Sequence, residues 1–213
     1  MALTLVRDPW DLVVLSSAPR DRPTPVPMRV DAAQLDACRR GDRGALEAVF
    51  RAHAEALARV LVRIVGPGAH VEDLLQDTFA EAITAFPRFR GEASVKTWLT
   101  RIAINVAHQH LRRPRHRREI VVDAPPEQAS EDDPQRTAES IAVSRRLYVL
   151  LDELDPARRI ALVLFAIEEY SIEEIAALMG ASRTATRSRI FRARRALMKA
   201  MKKDPAFAGR GVP

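Results

Sequence analysis

The sequence predicts an all-α protein built as two small helical domains joined by a flexible acidic linker. Three observations carry this. Apolar residues recur at three- and four-residue steps along most of the chain, the period of one helix face. Composition favours helix over sheet: Ala, Leu, Arg and Glu dominate, aromatics make up 5%, and there are 8 glycines in 213 residues. Between residues 119 and 140 the periodicity lapses. That segment holds seven acids, one arginine and three prolines, the composition of a tether.

Taken in order, residues 1–30 read as a flexible arm. Pro9, Pro19, Pro23, Pro25 and Pro27 disfavour helix there, and Trp10 with Leu12 to Leu15 forms a short apolar patch. The first domain spans residues 31–118. Asp31 and Gln34 suit a capping box for a short helix that stops at Gly41. Asp42 opens a long helix with Leu46, Val49, Phe50, Leu57, Val60, Leu61 and Ile64 on its apolar side, and Gly66-Pro67-Gly68 breaks it. The next helix runs from about Val71 to Phe86, stops at Pro87, and turns Leu74, Leu75, Phe79 and Ile83 toward the core. Its opposite face is polar and mainly acidic: Glu72, Gln76, Asp77 and Glu81, with Asp73 in the first turn. After the loop 88–93, Ser94 caps a helix whose core face is Val95, Trp98, Leu99, Ile102 and Val106. Lys96, Arg101, Asn105, His108 and Arg112 occupy its other sides.

The second domain spans residues 141–203 and begins near Ile141, with Leu147, Leu150, Leu151 and Leu154 on its first helix. Asp155-Pro156 is an N-cap followed by proline at the first helical position. Two more helices follow. Ser171 and Glu174 form a capping box, Gly180 can take the left-handed conformation that ends a helix, and Ser182 caps the last one. In that last helix Ile190, Ala193, Leu197 and Met201 face inward, while Arg183 to Lys203 carries nine Lys or Arg and no acid. A short helix, a glycine turn and a basic second helix is the layout of a helix-turn-helix, whose second helix lies in the DNA major groove. A basic helix is more often only a solvated face; the capped pair, the turn and the absence of acid together favour DNA. Residues 204–213 are a short tail.

The formal net charge of +6 fits an anionic partner. The single cysteine, Cys38, rules out an internal disulfide and a cysteine-based zinc site. No apolar run reaches transmembrane length, and the arm does not read as a secretory signal, so a cytoplasmic protein without membrane insertion is expected. No enzyme, metal or cofactor is expected. His108 and His110 point about 160° apart on a helix, unlike a metal pair, and read as solvent or backbone contacts in a basic patch. No phosphate loop or glycine-rich nucleotide motif is present.

Three stretches then match a known family: VEDLLQDTFAEA (71–82), FRGEASVKTWLTRIAINVA (89–107) and YSIEEIAALMG…RSRIFRARRAL (170–197). Residues 31–118 resemble region two of bacterial sigma factors and the second domain resembles region four. The two-domain layout is similar to the extracytoplasmic-function group of the sigma-70 family. The resemblance implies a protein that binds core RNA polymerase, recognises the −10 and −35 promoter elements and helps to melt the promoter. It implies that Glu72, Asp73, Gln76 and Asp77 bind the polymerase. Phe89, Arg90, Lys96, Arg101 and Asn105 would take the −10 element as single strand. Arg183, Arg187, Ser188, Phe191 and Arg192 would meet the −35 duplex. An anti-sigma partner is plausible on the same ground. One departure stands out: Thr184-Ala185-Thr186 opens the recognition helix where the family has Gly-Thr-Val, with Thr186 at an apolar position facing the preceding helix. The alternative is a helix-turn-helix regulator acting without sigma activity, and the region-two motifs argue against it.

Overall fold

The computed structural model describes residues 32–113 and 134–207, all connected by helices and turns. The arm, most of the linker and the end of the tail lie outside the described residues, as does Asp31. The first half comprises α1 (Ala32–Arg39), α2 (Arg43–Val65), α3 (His70–Ala85), a 3-10 turn (Phe86–Arg88) and α4 (Val95–Leu111). The second comprises α5 (Pro134–Leu151), α6 (Pro156–Ala166), α7 (Ile172–Met179), α8 (Arg183–Lys203) and a closing 3-10 turn (Pro205–Phe207). α5 starts upstream of Ile141, at Pro134, a residue that the first turn tolerates because amides there have no intrahelical partner.

Local chemistry fixes the boundaries. The Asp42 carboxylate accepts from the Ala45 amide at 2.8 Å, and the Ser94 hydroxyl accepts from Thr97 at 3.1 Å. Asp155 accepts from Ala157 and Arg158, with Pro156 behind it. Ser171 and Glu174 form a reciprocal capping box, in which the Glu174 carboxylate accepts from the Ser171 amide at 2.8 Å. Those hydrogen bonds hold the Glu174 carboxyl below its ordinary range. Gly180 closes α7 at φ 60°, ψ 38°, the left-handed conformation that costs a side-chain residue strain.

α2, α3 and α4 pack on one another, with Leu61, Ile64, Ala82, Leu99 and Ala103 fully buried between them. Phe50 and Phe79 stack at 4.6 Å, and Phe86, Phe89 and Trp98 form an aromatic knot beneath the 3-10 turn. α3 differs from its sequence pattern in one place. Leu74, Thr78 and Ala82 form its buried row at four-residue steps, so Ile83, one position on, turns outward and stays 50% exposed. His110 also departs from expectation: it is buried and stacks on His70 with ring centroids 5.1 Å apart.

The two halves do not sit apart. Every residue of α6 from Arg159 to Leu164 is buried, so the middle of this helix is enclosed, while Phe165 near its end is 43% exposed. Leu162 joins Val143, Leu150, Leu197 and Met201 in the second domain's own core. Ile160, Val163 and Leu164, with Ile175, Leu178 and Ile190, join the core built by α2 and α4. The shared apolar surface makes one packed body of two domains.

α8 packs on α6 through Ile190, Ala193 and Leu197, and Thr186 lies on the same inward row. Thr186 is fully buried and its hydroxyl has no hydrogen-bond partner. A buried hydroxyl stripped of water costs free energy that an isosteric methyl does not. Thr186→Val is therefore expected to stabilise the protein by about 1 kcal/mol, read as a higher midpoint in chemical denaturation.

Two histidines couple the fold to pH. His53 is depressed below its ordinary value by burial and by Lys96, and its Nε2 is buried without a hydrogen-bond partner. His108 is depressed by burial and then by Arg112, against a smaller opposing pull from Asp155, with Arg189 adding the least. Both therefore bind protons more weakly folded than unfolded. Below the ordinary histidine value of 6.5 the unfolded state takes up more protons, so stability falls as pH falls. The thermal midpoint should drop between pH 7 and pH 5, and a His53→Gln/His108→Gln variant should drop less.

Candidate nucleic-acid interface

α8 is amphipathic with a sharp division of labour. Thr186, Ile190, Ala193, Leu197 and Met201 turn inward, which leaves Arg183, Arg187 and Phe191 on one outward row at four-residue steps. Arg192 flanks that row in the open and Ser188 is half-buried beside it. Phe191 is 66% exposed. A large aromatic ring left in water within a basic face is unusual unless something covers it. Arginine forks suit guanine edges and phosphates, and an apolar ring suits a thymine methyl. Arg183 pairs with Glu173 of α7, which steadies the start of this helix, and Arg187 and Arg192 are exposed beyond it.

The first half offers a second basic surface on α4. Arg101 and Asn105 lie one turn apart on an exposed row, and Lys96 is exposed near the helix start. Arg90 is open on the loop before it, 3.9 Å from Glu92. Phe89 differs from its neighbours. It is 7% exposed, packed edge-on to Phe86 and tilted against Trp98, and its carbonyl accepts from Arg39 Nε at 3.0 Å. In this conformation its ring anchors the loop from beneath instead of facing solvent. Trp98 is half-buried in the same knot, as its core position implies.

A third surface lies on the first two turns of α3. Glu72, Asp73, Gln76 and Asp77 are all exposed, opposite the buried Leu74 and Thr78. Further along the same helix stands Ile83, and beside the last turn a shallow groove is lined by Ala80, Glu81, Thr84, Ala85 and Arg88. Among the described residues no cluster of His, Cys, Asp and Glu is arranged to hold a metal, and no helix is long and apolar enough to cross a membrane.

The structure also joins what the sequence had kept apart. α7 packs on α4, so the turn of the helix-turn-helix touches the other basic surface: a Cβ built on Gly180 would lie 3.7 Å from Arg101 Nη2. Residues outside the candidate sets join the two halves elsewhere, at the end of α2, among them Arg159, Tyr148, Arg63 and Glu168. One signal for them was available: Arg159 opens the otherwise apolar run Ile160 to Phe165 and needs a partner if buried.

Comparison with known proteins agrees with this layout. Residues 49–118 match the family model for Sigma-70 region 2, and residues 144–197 match that for Sigma-70, region 4. The chain is 32% identical over 180 residues to the RNA polymerase sigma-H factor of Pseudomonas aeruginosa, covering 80% of this chain and 93% of that protein. It is 37% identical over 164 residues to the RNA polymerase sigma factor CarQ of Myxococcus xanthus, covering 74% and 90%. Among solved structures, CnrH in complex with the cytosolic domain of CnrY matches with TM-score 0.54 and 26% identity, over 82% of this chain and 99% of that one. The sigma factor RpoE of Bartonella quintana, in complex with the anti-sigma factor NepR, shares the fold with TM-score 0.52, 24% identity and coverage of 76% and 97%. An acidic helix face, two basic surfaces and both matched regions thus come together in one chain, which belongs to the extracytoplasmic-function sigma factors of bacterial RNA polymerase.

Proposed function

We propose that this sigma factor divides its work among the three surfaces. Glu72, Asp73, Gln76 and Asp77 bind a basic face of core polymerase, with Ile83 adding an apolar contact at the far end of α3. Arg90, Lys96, Arg101 and Asn105 hold the single strand of the melted −10 element, and Phe89 shapes the loop that receives it. Arg187, Ser188, Phe191 and Arg192 meet the −35 duplex in the major groove, with Arg183 toward the phosphates. The observation that carries this reading is the outward row of α8, an acid-free basic face bearing an exposed phenylalanine on a capped, glycine-turned helix pair. The chain acts by binding in the cytoplasm and leaves the chemistry of RNA synthesis to the polymerase. CnrH is solved in complex with the cytosolic domain of CnrY and the sigma factor RpoE with the anti-sigma factor NepR, which supports an anti-sigma partner for this chain too.

Two experiments test it. Glu72→Lys/Asp77→Lys should weaken association with core polymerase at least tenfold in a competition assay while far-ultraviolet circular dichroism is unchanged, since like charges then face each other across the contact. Undiminished binding would refute the assignment. The reading heads separate on paired and pre-melted templates. Arg187→Ala or Arg192→Ala should cost about 1–3 kcal/mol in open-complex formation on both, because a duplex base contact is lost either way. Asn105→Ala should be impaired on paired DNA and partly rescued on a bubble, because the unstacking cost of a few kcal/mol has been met in advance. An Asn105 variant that fails equally on both templates, with normal arginine variants, would overturn the division.

A further inference from the structure

The loop before α4 is held at its two ends and open between them. At its start the Phe89 amide donates to the Phe86 carbonyl at 2.9 Å, and the Phe89 ring sits in the aromatic knot. At its end Ser94 caps α4. Arg90, Gly91, Glu92 and Ala93 are exposed, and among the described residues no backbone–backbone hydrogen bond ties them. Arg39, the last residue of α1, reaches this stretch from fifty positions away. Its Nε donates to the Phe89 carbonyl at 3.0 Å. Its Nη1 pairs with Asp36, one turn back, at 2.6 Å. Its Nη2 lies 3.8 Å from where a Cβ on Gly91 would stand. Gly91 has φ 78°, in the left-handed region that residues with side chains rarely adopt, so the loop curls past the guanidinium at a residue suited to that angle. The base of Arg39 is fixed as well. The Gly41 amide donates to the Cys38 carbonyl and the Asp42 amide to the Ala37 carbonyl, the paired bonds of a Schellman motif, and the Asp42 side chain then caps α2.

We propose that Arg39 is a positioning residue for the −10 surface: its guanidinium sets the shape of the loop 89–93, and through it the direction of Arg90 and of the open backbone groups that meet the single strand. The inference deepens the proposed reading of that surface and rests on it. A base taken out of the stack is held by hydrogen bonds and stacking, so the groups that receive it must already be in place. An exposed loop without a brace would be ordered anew at each encounter, at a cost in affinity and in discrimination between bases. Arg39 supplies the brace through its planar fork. One edge is fixed on the Phe89 carbonyl and the other on Asp36, which leaves the guanidinium plane a single orientation beside Gly91. A lysine supplies the charge without both contacts. Only 34% of the Arg39 side chain is exposed, and Asp36 offsets its charge, so it acts through the loop and not as a phosphate contact.

The test uses holoenzyme assembled from core polymerase and the full chain. It is offered a library of bubble templates in which the melted non-template strand is randomised, and the retained templates are sequenced. The unaltered chain should enrich particular bases. Arg39→Ala should lower the enrichment of the preferred base about tenfold at the neighbouring positions that face the loop, with core affinity and circular dichroism unchanged. Arg39→Lys should flatten the same positions. Asp36→Ala, which frees the guanidinium to rotate and leaves the loop sequence untouched, should flatten them less, by about threefold. The slope of log affinity against log salt should stay the same in every variant, because no phosphate contact is lost. Full enrichment in Arg39→Ala, full recovery in Arg39→Lys, or a salt slope reduced by about one would overturn the positioning role. So would an even loss of enrichment at every randomised position together with core affinity, which would mark Arg39 as a brace for the domain as a whole. Asn105→Ala separates the two levels: if it flattens the selection and Arg39→Ala does not, the role of Arg39 falls alone. If the unaltered chain enriches no base, the −10 reading of this surface fails and takes the positioning role with it.

Discussion

A helix that ends away from water must have its last carbonyls answered by something other than water. α2 is such a helix, and the rest of the structure is arranged around its terminal turn. The Val62 carbonyl receives the Gly66 amide as well as the Tyr148 hydroxyl, and the Ile64 carbonyl receives Arg159. Because those donors come from α5 and α6, the second domain has to lie where it does. Once it does, the middle of α6 is enclosed, α7 comes to rest on α4, and the apolar residues of both halves merge into a continuous core. The polar contacts set the orientation, and the burial of Ile160, Val163, Leu164, Ile175 and Leu178 supplies most of the attraction.

Packing and recognition fall on separate faces of the same helices. α3 buries Leu74, Thr78 and Ala82 and exposes its acids; α8 buries its Ile190 row and exposes its arginines. α4 follows the same rule, with Leu99, Ala103 and Val106 inward and Asn105 outward. Phe89 is the exception, a residue matched to a reading role whose ring is committed to the aromatic knot. Any direct part it takes in holding a base requires that knot to loosen, and Arg39 on its carbonyl opposes that movement.

Much of this was legible in the sequence because its signals are local. Asp42, Ser94, Asp155, Ser171 and Ser182 all cap the helices they were expected to cap, since a cap depends on the next three residues alone. The inward rows of α2 and α8 were equally plain, because each repeats over three or more turns. Ile83 was misjudged because a single position at a helix end shifts register by a third of a turn. His110 was misjudged because its partner His70 lies forty residues away, and α5 began early because its opening residues carry no apolar period. The interdomain contact was invisible for the same reason: a carbonyl oxygen at Ile64 leaves no mark on the residue type at position 64.

The separation of faces on α8 bears on how such a protein diversifies. Glycine at the turn, the capping box behind it and the buried row beneath fix the angle at which the recognition helix is presented. None of those positions lies on the outward row of α8. Arg187, Phe191 and Arg192 can therefore be exchanged without opening a cavity or orphaning a buried group. Mutational drift at those three sites is nearly free of folding cost, so, on the proposed reading of α8, a duplicated gene can acquire a new set of target promoters while its scaffold stays intact. The same freedom makes α8 a suitable place to graft orthogonal specificities into a synthetic regulatory circuit.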